Sequence, residues 1–204
     1  LLTQTAFVAP GPVDAGAVVD RFCDVHKTPR WLVDPKEPLE IDELEQHFQE
    51  RLLGQADALR ATLSVVSMMK TGLSDLRRPF GAFLFVGPTG VGKTHLAQLI
   101  AETLFGARDN LVRVNMGDYA EDPFGQGLFG VPGHYMPSIR RGALTSALSG
   151  RPFAVLLLDE IEKAHPAIFD RLLPLMDEGF FENAAGERIT CRSMIIIATS
   201  NAGA

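Results

Sequence analysis

The chain has 204 residues, 46% of them hydrophobic and 22% charged, with a formal net charge of −6, enough for one α/β domain of ordinary size with a sizeable core. The acidic balance argues against nucleic acid as a main partner, because binding a phosphate backbone calls for a basic footprint. No run approaches the roughly 20 apolar residues of a membrane span, and the two cysteines, Cys23 and Cys191, show no metal-binding spacing.

The first 38 residues carry prolines at 10, 12, 29, 35 and 38 and read as a linker or extended arm (1–38) ahead of the domain proper (39–204). Leu1–Pro10 is somewhat apolar but lacks the basic leader and long core of a secretory signal. The absence of an initial methionine points to a piece of a longer protein. Trp31 leaves two readings open, an anchor that pins the arm to the domain or a contact for a neighbour. Ile41–Leu53 and Gln55–Lys70 place apolar residues at i, i+3 and i+4 and predict two amphipathic helices. The acidic group Glu37, Glu40, Asp42, Glu43 and Glu45 is a solvated face that suits the first helix's N-terminal dipole.

Ala82–Val86 is an apolar run predicting a strand, and Gly87-Pro88-Thr89-Gly90-Val91-Gly92-Lys93-Thr94 follows it directly. This is a complete phosphate-cradling loop of the G-x-x-x-x-G-K-[ST] kind (Walker A). Glycines at 87, 90 and 92 allow positive φ, so that backbone N–H groups turn toward anionic oxygens. Lys93 supplies a point charge for β and γ phosphates, and Thr94 a hydroxyl for Mg²⁺. His95–Phe105 has helical spacing, so a helix N-terminus points at the same phosphates. The octapeptide implies a nucleoside triphosphate with magnesium.

Such a site calls for a metal-holding carboxylate and an oriented water. Ala154–Leu158 is an unbroken apolar run, as expected of a central parallel strand, and ends in Asp159-Glu160 (Walker B). Asp159 is placed to hold the magnesium and Glu160 to polarise the attacking water. His165–Glu178 reads as a helix after a short one at Leu144–Leu148, and Gly179–Thr190 as a β-hairpin turning at Ala185-Gly186. Ser193–Ser200 is a further β-branched run closing on Asn201. An Asn just past a strand is commonly a turn residue; in a doubly wound sheet it would also reach the crevice beside Asp159 and could contact the γ-phosphate or the lytic water.

Together these segments resemble the Clp class of AAA+ protein-unfolding ATPases, in particular the second ATPase domain of the disaggregase-type members. Arg51-Leu52-Leu53-Gly54-Gln55 is similar to the family's Val-Gly-Gln segment, which contacts the adenine. Gly72-Leu73-Ser74-Asp75 with Arg78-Pro79 matches its connector before the first core strand, Leu158–Pro166 its Walker B signature, and Thr199-Ser200-Asn201 its sensor 1. The resemblance runs from about Leu39 to the end of the chain. It implies a three-layer P-loop fold with a mainly parallel five-stranded sheet flanked by helices. It also implies ATP and Mg²⁺ as cofactors and a cytoplasmic ring, hexameric in the family. The nucleotide-binding set is Leu52, Leu53 and Gly87 to His95; the metal set is Thr94 and Asp159; the catalytic set is Glu160, Lys93 and Asn201. The partners implied are a threaded protein substrate and a protease or co-chaperone, with no nucleic acid and no membrane.

Several residues depart from the family pattern. Where the family carries Gly-Tyr-Val-Gly in the loop that projects into the central pore, this chain has Gly133-His134-Tyr135-Met136-Pro137, then Arg140-Arg141 in place of acids. Tyr135 keeps an aromatic able to grip a polypeptide, in a loop stiffened by Pro137. His95 stands where Glu is common and reads as a solvated first-turn residue beside the loop. Asn115-Met116-Gly117-Asp118-Tyr119 resembles Asp-Met-Ser-Glu-Tyr with one charge lost. The family's trans-acting arginine finger and small helical subdomain would follow sensor 1, beyond Ala204. Such a finger is worth about 10³–10⁵ in rate in related phosphoryl transfer, so this polypeptide alone is expected to bind ATP and hydrolyse it feebly. The leading expectation is thus a motor domain that unfolds or remodels proteins. The alternatives are an engine dedicated to dismantling one assembly, such as a secretion sheath, and a nucleotide-gated scaffold.

Overall fold

A computed structural model of the chain describes residues 14–52, 55–131 and 141–201. The helices and strands in chain order are α1 (Ala15–His26), α2 (Arg30–Val33), α3 (Ile41–Arg51), α4 (Ala56–Thr71), β1 (Gly81–Val86), α5 (Lys93–Phe105), β2 (Leu111–Asn115), α6 (Gln126–Phe129), α7 (Ala143–Leu148), β3 (Ala154–Asp159), α8 (Pro166–Glu178), β4 (Phe180–Glu182), β5 (Arg188–Thr190) and β6 (Met194–Ser200). Short 3₁₀ turns at Arg108–Asn110, Met116–Tyr119 and Ile161–Lys163 complete the path.

β1, β6, β3 and β2 lie side by side in that order as one parallel sheet. Every residue of β3 and β6 is buried, which is what unbroken apolar runs produce when helices cover both faces of a parallel sheet. Alternation along β3 then splits the core. Ala154, Leu156 and Leu158 pack with Leu144 and Leu148 of α7 and with Ile168, Leu172 and Leu175 of α8. Val155 and Leu157 pack with Phe48 of α3, Leu63 and Val66 of α4, and Leu96, Ile100 and Leu104 of α5. Three layers result, and truncating a fully buried residue such as Leu156 to Ala would cost about 2–5 kcal/mol.

The sheet has four parallel strands among the described residues, where the resemblance implies five. The antiparallel β4–β5 hairpin stands apart from it, its turn closed by the Asn183 side chain and by Gly186 at φ +76°. The arm is also not extended after residue 14. Asp14 caps α1 by accepting a hydrogen bond from the Ala17 N–H at 2.7 Å, and Lys27 ends it in the left-handed region. The prolines at 29, 35 and 38 fall outside α1, so they bound helices without breaking one. Trp31 takes the anchoring reading, packed half-buried against the α3–α5 core. Gly106 (φ +78°) lies so close to Lys27 that an added Cβ would meet its carbonyl oxygen at 2.4 Å.

The two thiols differ in surroundings. Cys191 is buried beside β6, and burial pushes its thiol up to about 12, whereas Cys23 on α1 is half-buried. A disulfide-exchange reagent at pH 8 is therefore expected to titrate Cys23 in the native protein and Cys191 only after urea unfolding. The neutral thiol is the form that the fold favours, so its contribution is intact below the ordinary value near 9 and is lost as pH climbs from there toward about 12. Urea midpoints across that window, compared with Cys191→Ala, check the sign.

Candidate functional site

The carboxyl ends of β1, β3 and β6 open onto one crevice, where a doubly wound sheet presents its ligands. β1 runs into the loop 87–92. Gly87 directly follows the strand, its N–H donating to the Ser200 carbonyl at 3.2 Å, and it does not take the positive φ its type would allow. Gly90 and Gly92 do turn, at φ +87° and +94°, and nothing lies within 4 Å of a Cβ placed on Gly90. α5 starts at Lys93 immediately afterward, with its first-turn N–H groups at the loop. A cleft of about 360 Å³ results, lined by Thr89, Gly90, Gly92, Lys93, Thr94, His95, Arg113, Asp159, Glu160 and Asn201.

Side chains from distant parts of the sequence meet in this cleft. Lys93 Nζ donates to the Gly87 and Pro88 carbonyls at 2.6 and 2.9 Å and to Asn201 Oδ1 at 2.8 Å. Asn201 Nδ2 in turn donates to Glu160 Oε1 at 3.1 Å, so one amide joins the lysine of the loop to the acid at the end of β3. The other Glu160 oxygen takes Lys163 Nζ at 2.7 Å, and that hydrogen bond holds the Lys163 ammonium above its ordinary value. Glu160 itself sits in the left-handed region at φ +56°, a conformation that costs a non-glycine residue about 1–3 kcal/mol and is characteristic of functional turns. The Thr199 hydroxyl helps hold this geometry, accepting from the Glu160 N–H at 3.0 Å and donating to Asp159 Oδ1. Burial opposes ionisation of Glu162, yet hydrogen bonds from the Asn201 N–H (3.0 Å) and Ser200 keep its carboxyl below the usual range.

The sequence-predicted residues Thr89, Gly90, Gly92, Lys93, Thr94, His95, Asp159, Glu160 and Asn201 thus share one cleft. Gly87, Pro88 and Val91 line the adjoining groove along β1, where Gln55 donates to the Val91 carbonyl. Leu52 is buried in the α3–α5 core rather than in the cleft. Leu53 and Tyr135 lie outside the described residues. Reading the sequence missed β2 and with it Arg113, whose Nε and Nη2 both reach Asp159 Oδ2, at 2.9 and 2.6 Å. The signal was there in the alternation Leu111-Val112-Arg113-Val114-Asn115. It missed Lys163 as well.

The donor set suits a polyphosphate with a divalent cation. Among the described residues no three His, Cys, Asp or Glu side chains cluster as a metal site of the protein's own. Thr94 and Asp159 are therefore suited to a cation that draws most of its ligands from phosphate and water, as magnesium does.

Comparison with known proteins places the chain in a family. A family model described as an AAA domain (Cdc48 subfamily) matches residues 78–204. The chain is 40% identical over 192 residues to a probable chaperone protein ClpB 1 of Chlorobaculum tepidum, covering 94% of this chain and 44% of that one. It is 40% identical over 176 residues to the ATP-dependent Clp protease ATP-binding subunit ClpC of Staphylococcus aureus, covering 86% of this chain and 22% of the subunit. Among solved structures, the Saccharomyces cerevisiae Hsp104–ADP complex superposes with a TM-score of 0.77 at 32% identity, over 93% of this chain and 27% of that chain. The chain thus spans less than half the length of these curated relatives. No helix among the described residues is long and apolar enough to cross a membrane.

Proposed function

The chain belongs to the AAA domain family, and from that premise we propose that it is the ATP-binding and hydrolysing motor domain of a Clp-type chaperone that unfolds or remodels proteins. The observation that carries the reading is the relay Lys93–Asn201–Glu160, in which the loop and the end of the central strand are joined by one side chain. Relatives named as chaperones and as an ATP-binding Clp subunit support it, as does a structural neighbour solved with ADP.

In this proposal the residues divide the work by position. The 87–92 backbone and the start of α5 bind the phosphates, with Lys93 on the β and γ groups. Thr94 and Asp159 hold magnesium, which when bound offsets charge that builds on the phosphate oxygens. Glu160, at the mouth of the cleft, accepts the proton of the water attacking the γ-phosphorus. Asn201 touches both Lys93 and Glu160, so it is placed to register whether the γ-phosphate is present. Leu52 and Leu53 border the adenine, Tyr135 grips the substrate chain, and the working unit is a cytoplasmic hexameric ring acting on protein substrates.

The test is ATP-dependent unfolding of a fluorescent model protein by the full-length gene product, beside Tyr135→Ala, with ATP turnover followed in parallel to separate gripping from hydrolysis. Unfolding is expected from the wild type and at least about tenfold less from the variant, in line with the energetic weight of aromatic anchors. A wild type that hydrolyses ATP and unfolds nothing contradicts the unfolding reading.

A further inference from the structure

Asp159 lies at the end of a strand buried on both faces, and its side chain is only 10% exposed. A carboxylate so placed is costly without a compensating cation. The fold supplies one from β2. The register pairs Asn115 with Asp159 and Arg113 with Leu157, so Arg113 is the diagonal neighbour of Asp159 on the same face of the sheet. Asn115, directly opposite, is committed elsewhere: its side chain donates to Asp118 Oδ1 and accepts from the Gly117 N–H. The guanidinium therefore reaches past it to Asp159.

The two oxygens of Asp159 are held very differently. Oδ1 takes the hydroxyl of Thr199, a buried residue in the middle of the site. Oδ2 takes both Nε and Nη2 of Arg113, a side chain that is 57% exposed. One oxygen is clamped by the core and the other is occupied by a group that can swing into solvent. The neighbouring acid follows the same plan, Glu160 being paired with the half-exposed Lys163. Lys93, by contrast, makes no ion pair among the described residues and faces neutral oxygens.

We propose that Arg113 is a positioning residue that gates the metal: it occupies Asp159 Oδ2 as an internal counter-cation, and a divalent cation must displace it to reach that oxygen. Arg113 thereby sets how much Mg²⁺ the site requires, and keeps the aspartate neutralised and pre-aimed between turnovers. Competition of two cations for one oxygen is a negative coupling between them, and such couplings commonly amount to factors of about 5–150. The inference rests on the reading of the cleft as an ATP site.

The test is binding of a fluorescently labelled ATP, followed by anisotropy while Mg²⁺ is titrated from excess EDTA upward, for the wild type, Arg113→Gln and Arg113→Lys. Thermal melts of each variant accompany the titration. Arg113→Gln is expected to lower the Mg²⁺ midpoint about tenfold, with nucleotide affinity at saturating Mg²⁺ within about threefold of wild type. Arg113→Lys, which keeps a charge but loses the double contact to one oxygen, is expected to fall between them and serves alone if the glutamine variant does not fold. A role confined to tying β2 to β3 would lower the melting temperature and leave the Mg²⁺ midpoint unchanged, which overturns the proposal. A loss of nucleotide affinity uniform across all Mg²⁺ concentrations overturns it too, by placing the guanidinium on the nucleotide. Absence of labelled-ATP binding by the wild type at any Mg²⁺ concentration overturns the underlying reading itself.

Discussion

Replacing Lys93 with alanine is expected to weaken nucleotide binding by about a hundredfold or more, measured as the anisotropy of labelled ATP in excess Mg²⁺. The magnitude follows from the position of the ammonium. It is held at the first turn of α5 by the Gly87 and Pro88 carbonyls and by Asn201 Oδ1, so little ordering remains when phosphate arrives. Those partners are neutral oxygens, and phosphate can take their place without separating an ion pair. Losing one side of a desolvated charge pair costs about 2–5 kcal/mol, and the alanine variant also leaves Asn201 Oδ1 without its donor. A loss of less than about fivefold would show that the loop backbone and the helix N-terminus carry the phosphates without the lysine.

Glu160→Gln should separate binding from turnover. The glutamine carbonyl can still accept from Asn201 Nδ2, so affinity for labelled ATP should stay within about threefold. The ion pair to Lys163 is lost, but that pair is partly exposed and adds little to stability. What disappears is the proton acceptor, and removing a positioned general base lowers turnover by about 10²–10⁴-fold. The ratio of the variant's phosphate release to wild type is the readout, because it does not depend on how fast the wild type is. Residual turnover above a tenth would assign the base elsewhere, with Glu162, held close by the Asn201 N–H, the first residue to examine.

The parts of this site that could be read from the sequence are those whose chemistry is written in consecutive residues. Gly87–Thr94, the acidic pair after an unbroken apolar run, and the asparagine closing another such run each announce themselves locally, and sheet topology alone then brings them together. Arg113 could not be found that way. β2 is a short edge strand with two buried residues, Val112 and Val114, and its arginine acquires meaning only through a diagonal contact to a strand more than forty residues on. Lys163 was obscured for a related reason: its partner contact depends on the left-handed turn at Glu160, which residue type does not predict. In the arm, prolines at 29, 35 and 38 overshadowed the cap at Asp14, although α1 ends before the first of them. Leu52 shows how far a motif position can be read: its side chain joins the α3–α5 core, a placement that the short Leu52–Gln55 segment does not announce.

The strand order has a consequence for the history of each molecule. Among the described residues β6 is the last strand in chain order yet lies in the middle of the sheet, and it is the only sheet partner of β1. A nascent chain releases β1 and the phosphate loop first and receives the strand that seats them roughly 100 residues later, about 5–20 s at ordinary rates of synthesis. During that interval β1 has an unpaired edge on each side, and its apolar residues Leu84 and Val86 are exposed among the described residues even with β6 in place. Nucleotide cannot shelter it then, because Asn201 and Thr199 arrive with β6. Occupancy of the cleft therefore follows the pairing of β1 rather than aiding it, and this exposure to misassembly lasts at least until residues 194–201 insert.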